Sequence, residues 1–130
     1  MTTSFQTNPA PTVPPLSFLD RQAARERNEL NYETTVTYHA LPASGHIAVR
    51  ATADAVLVTA TDIDVIAEWL YVQGGTVTTV DLPSGQTVWT LHTKTWTDSP
   101  VKFPEVPVFV SVVLATGEQV MHEIAAAVAA

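Results

Sequence analysis

AVLVTATDIDVIAEWLYVQGG, residues 55–75, changes its hydrophobic period halfway along. Residues 55–60 are a short apolar, β-branched run of the kind that forms a buried strand. Beyond it the apolar positions recur at helical spacing. Thr61 or Asp62 can cap this helix, placing Asp62 and Asp64 in a first turn where the macrodipole favours negative charge. Gly74 and Gly75 end it, so a helix is predicted from about Asp62 to Gln73, lying on one face of a sheet.

At about 100° per residue this helix carries Ile63, Ile66, Ala67 and Leu70 on one face and Val65, Trp69 and Val72 on another. Asp64 and Glu68 hold only a narrow polar strip between them. A helix on a sheet needs one apolar face, and this one has nearly two. Three covers are open for Val65, Trp69 and Val72. Another part of the chain packs over them, or a second subunit does so with Trp69 as the anchor of a two-fold interface, or the patch is exposed.

Downstream, residues 76–82 and 87–95 flank Pro83, Ser84 and Gly85 and read as a hairpin. Trp89 and Leu91 share one of its faces and are expected in the core. Trp96 lies at its end, beside a proline-containing loop over 97–107. VFVSVVLA, residues 108–115, is the most apolar strand candidate and is expected at the centre of the sheet. The tail after Gly117 reads as an alanine-rich helix, with a hairpin return onto 108–115 as the alternative.

Upstream, residues 32–38 and 46–51 are rich in β-branched or aromatic residues around a turn at 42–45, and read as another hairpin. Ser17 and Asp20 have capping-box spacing before a short helix from Phe18 to about Leu30. Residues 1–15 contain Pro9, Pro11, Pro14 and Pro15 and are expected to form an extended, flexible arm. The division is therefore an arm over 1–15, a helix and linker over 16–31, and one domain over 32–130. The fold class is α+β: a mostly antiparallel sheet in the order ββ-β-α-ββ-β-α, with the Asp62 to Gln73 helix on one face.

The chain has 130 residues, enough for a single domain, and 46% are apolar. Only 15% are charged, against roughly 25% in an average soluble domain, which suggests that part of the surface is covered. Six basic against 13 acidic residues give a net charge of −7. That field repels a phosphate backbone, so nucleic acid is not an expected partner. The absence of cysteine removes thiol nucleophiles, disulfides and thiolate zinc sites. No run approaches the roughly 18 apolar residues of a membrane span, and residues 1–15 lack the pattern of a secretory signal. No membrane association is expected, and the location read is the cytoplasm, or the virion if the chain comes from a phage.

Few residues point to chemistry. His39, His46, His92 and His122 lack the spacing of metal ligands, so no metal or cofactor is expected. Asp62, Asp64 and Glu68 are accounted for by capping and solvation, and the glycine-containing turns match neither a nucleophile elbow nor a phosphate loop. Arg21, Arg25 and Arg27 form the one basic cluster, nearly balanced by Asp20, Glu26 and Glu29.

These observations lead to a non-enzymatic, self-associating interaction module. It would act in structure or assembly, or as a small regulatory adaptor, and the composition suits a bacterial or phage genome. Its partner is a second copy, as a dimer or a ring, with another protein possible through the arm. Interface residues are expected at Val65, Trp69, Val72, Trp96, Arg21 and Arg25. The alternative is a small-ligand-binding domain or enzyme, with a site between sheet and helix near Trp69, Tyr71, Trp89 and His92 or at a subunit interface.

Overall fold

The computed structural model describes residues 17–43, 46–99, 101 and 103–128. The expected arm over 1–15 and the turn residues Ser44 and Gly45 lie outside them. The elements run α1 (Phe18–His39), β1 (Ala48–Ala51), β2 (Val56–Ala60), α2 (Asp64–Gln73), β3 (Thr76–Asp81), β4 (Gln86–Lys94), β5 (Pro107–Ala115) and α3 (His122–Ala126). The strands form one sheet ordered β1-β2-β5-β4-β3. Among these five strands only the β2–β5 pair is parallel. The fold is α+β, and the 108–115 run is its central strand as its composition requires.

Residues 32–38 are not a strand. They belong to α1, which continues for 22 residues past the expected end near Leu30 and across the boundary drawn between linker and domain. Tertiary packing decides this. Ala24, Asn28, Tyr32 and Thr35 recur every three or four residues and are all buried, so one helical stripe faces the core. Two polar members of the stripe are bonded: Asn28 Nδ2 donates to the Thr52 carbonyl at 2.8 Å, and Thr35 Oγ1 donates to the Asn31 carbonyl at 2.8 Å and accepts from the Trp96 amide at 2.9 Å. Local β propensity yields to these contacts.

The helix starts as the capping spacing predicts, with Ser17 Oγ accepting the Asp20 amide at 3.1 Å. It ends at Ala40, a non-glycine residue at φ 53°. There the Ala40 and Leu41 amides donate to the carbonyls of Thr37 and Val36, and Leu41 is buried beneath the turn.

With 32–38 in a helix, β1 has no partner there and pairs with β2 instead, through a turn held by Thr52. Its hydroxyl accepts the Asp54 and Ala55 amides at 3.2 and 3.0 Å. The 76–82 and 87–95 hairpin is present as β3 and β4. The C-terminal helix is only five residues long. Its buried Ile124 anchors it, and the chain then returns to the sheet edge, where the Val77 amide donates to the Ala127 carbonyl at 2.8 Å. The tail thus forms a helix, as expected, and not a hairpin with β5.

Residues paired across the strands share a face. One face holds Val56, Val58, Val110, Val112, Leu91 and Val77, all buried beneath the helices. α2 lies over β4 and β5, and α1 over β1 and β2. The opposite face carries no helix among the described residues. Leu57, Phe109, His92, Val88, Val113 and Val80 line it together with a polar row that includes Thr78, Thr90 and Ser111. Leu57, Val80 and Val113 are exposed there.

Candidate functional site

The second apolar face of α2 is where surplus hydrophobicity demanded cover, and at Trp69 a residue of α1 supplies it. Tyr32 stacks on Trp69 with ring centroids 5.9 Å apart and planes 14° from parallel. Trp69 is completely buried, Val65 is buried beside it, and Val72 is half-buried against the core. Val65 and Trp69 therefore face their own chain and are not available at the surface. The phenol of Tyr32 and the indole nitrogen of Trp69 have no hydrogen-bond partner among the described residues, and burial raises the Tyr32 pKa above 10.0.

The cover is incomplete at the C-terminal end of α2. There a groove of about 740 Å³ opens between α2, α3 and the end of α1. Leu41, Ala67, Leu70, Met121 and Ala126 are among its apolar lining, and Glu68 and Glu123 are its two carboxylates. Tyr71 stands in it with 90% of its surface exposed. Polar bonds fix the groove's edge, where His39 Nε2 donates to Gln73 Oε1 at 2.9 Å and Gln73 Nε2 donates to the Lys94 carbonyl at 3.0 Å. The ends of α1, α2 and β4 are thereby held together.

Next to His39, Tyr38 stacks on Trp96 with centroids 3.9 Å apart and planes 11° from parallel. Trp96 is half-buried in this stack, while Tyr38 stays exposed. At the other end of α1, Phe18, Arg21, Gln22 and Arg25 join Arg50 and residues 51–53 of the β1–β2 turn around a second concavity of about 470 Å³. Arg21 meets Asp54 at 3.5 Å, an exposed pair of the kind that contributes little.

Of the six residues expected at an interface, Trp96, Arg21 and Arg25 are at the surface, Val72 lines the groove, and Val65 and Trp69 are interior. Sequence reasoning missed Tyr71 as a surface residue, although the signal was present. Seven positions after Asp64 and three after Glu68, it falls within their polar strip, an aromatic on the solvent side of the helix. It also missed Arg50, which reaches the α1 arginines only because β1 turns into β2.

Trp69, Tyr71, Trp89 and His92 do not converge. Trp89 and His92 lie on opposite faces of β4, and Trp69 and Tyr71 on different sides of α2. His92 is bonded to Thr78 Oγ1 at 2.8 Å and meets the Phe109 ring edge-on. Among the described residues no three His, Asp or Glu side chains are grouped to hold a metal ion, and no helix is long and apolar enough to cross a membrane. Comparisons with protein-family models, curated proteins and solved structures find no match.

Proposed function

We propose that this chain is a non-enzymatic protein-interaction module that associates with copies of itself. More narrowly, it acts as a structural or assembly protein, or as a small regulatory adaptor, of bacterial or phage origin, in the cytoplasm or in a virion. One observation supports this reading: an apolar groove beside Tyr71, whose ring is 90% exposed. Large aromatics beside apolar recesses are the residues on which interface energy concentrates. The proline-rich sequence over 1–15 offers a further means of holding a neighbour.

Absolute mass by light scattering on a sizing column tests this, with the full chain and its Tyr71→Asp variant compared. The expected result is an oligomer for the full chain and a folded monomer for the variant, because an exposed position tolerates the charge and an interface does not. A full chain that stays monomeric over the accessible concentration range would remove the proposal. The second reading, a small-ligand site, draws on the groove's volume, which lies within the roughly 300–1,000 Å³ of ligand pockets. It predicts a thermal shift with apolar small molecules that Tyr71→Asp abolishes while the chain remains monomeric.

A further inference from the structure

The chain's few cations are unevenly placed. Of its six basic residues, Arg21, Arg25 and Arg50 surround a concavity at the start of α1, and among the described residues no carboxylate lines it, Asp54 standing outside the lining as the partner of Arg21. The groove at the other end of α1 is its inverse, lined by Glu68 and Glu123 and, among the described residues, by no lysine or arginine. Among the described residues Arg25, Arg50, Glu68 and Glu123 make no salt bridge. Each end therefore keeps two charged side chains outside any ion pair among the described residues.

Shape and polarity follow the same division. Phe18 lines the basic concavity while 80% exposed, so the basic end projects an apolar ring flanked by guanidinium groups. The acidic end has a recessed apolar floor with carboxylates beside it. A helix of 22 residues is about 33 Å long at 1.5 Å per residue, so α1 itself holds its first turn away from the groove at its last. One copy cannot fill its own groove with its own Phe18.

We infer that self-association, if the reading above holds, occurs through insertion of Phe18 of one copy into the Tyr71 groove of another, with Arg25 and Arg50 facing Glu68 and Glu123. The occupant of the groove is thus the start of α1 from a second copy. Because the two patches differ, the contact repeats from copy to copy until it closes as a reciprocal pair or a ring. The groove supplies apolar cover for Phe18, and the opposed charges fix which patch meets which.

Charge reversal with rescue tests the pairing. The variants are Arg25→Glu with Arg50→Glu, Glu68→Arg with Glu123→Arg, and the quadruple combination, each checked for folding by circular dichroism and weighed by sedimentation. Each double variant is expected to weaken assembly by about tenfold or more, since like charges then oppose across the contact. The quadruple variant and a mixture of the two doubles are expected to restore it. The quadruple keeps the net charge of −7. The carboxylate-to-arginine double lowers its magnitude, so a general charge effect would tighten assembly in that variant and not weaken it. A monomeric native chain would overturn both the self-association and this contact. A native oligomer unaffected by either double would leave self-association standing on another surface and overturn the contact alone. Doubles that dissociate with no rescue in the quadruple or the mixture would also overturn it.

Discussion

Tyr32 places a hydroxyl in the core with no hydrogen-bond partner among the described residues, and its ring stacks on Trp69. Tyr32→Phe retains the stack and removes the desolvated group, so it is expected to raise stability by about 1 kcal/mol in urea titrations near neutral pH. Burial holds the phenol's pKa above 10.0. Below pH 10 the group makes no pH-dependent contribution. Above it the unfolded chain releases this proton first, the folded chain binds more protons, and stability falls as pH rises. Comparison of urea midpoints at about pH 8 and about pH 11 should show that part of the fall disappear in Tyr32→Phe. Gly75 is a different kind of constraint. At φ 124° any added Cβ would collide with the His92 carbonyl oxygen, a backbone atom held in the sheet. Gly75→Ala is expected to cost about 2–3 kcal/mol by the same titration.

At the scale of elements, α1 shows how a local reading fails. Residues 32–38, YETTVTY, have the β-branched and aromatic content of a strand, and no glycine or proline within them contradicts it. The information lay in longer spacing: Ala24, Asn28, Tyr32 and Thr35 form one stripe only if the helix continues past Leu30. Two of those four are polar, so the stripe does not register as an apolar period. Thr35 carries the strongest test, since Thr35→Val keeps shape and burial while leaving the Trp96 amide without its acceptor. A loss of about 1–3 kcal/mol is expected, with loosening of the Trp96 ring visible in its fluorescence. Elements with an uninterrupted period were legible: 55–60 and 108–115 as apolar strands, 62–73 as a helix, and 76–95 as a hairpin around Pro83, Ser84 and Gly85. Part of the site was legible too. Arg21 and Arg25 stood out as the start of a basic cluster, whereas Arg50 joins them only in three dimensions and Tyr71 was outweighed by the more conspicuous Trp69.

For the whole molecule, the burial of Trp69 separates stability from association. Trp69→Ala should cost about 3–5 kcal/mol, as for other large aromatics removed from a core, measured by thermal or urea unfolding. Its effect on mass should follow that lost stability and vanish under conditions where the variant is fully folded. An oligomer that dissociates in the folded Trp69→Ala chain would contradict the intramolecular stack.

The β2–β5 pair has a kinetic consequence. Val56 lies beside Val108, so the central parallel contact joins residues about fifty positions apart, whereas β1–β2 and β3–β4 are each closed by a short turn. Long closures are slow because their entropic cost precedes their reward. Each hairpin can form by itself, but β2 and β4 both present bare backbone edges until β5 slots between them. On the ribosome, where synthesis runs at about 5–20 residues per second, β5 emerges after all four other strands. The strand that joins the sheet is the last one made, and until it arrives the nascent chain carries two open edges able to pair with the wrong neighbour.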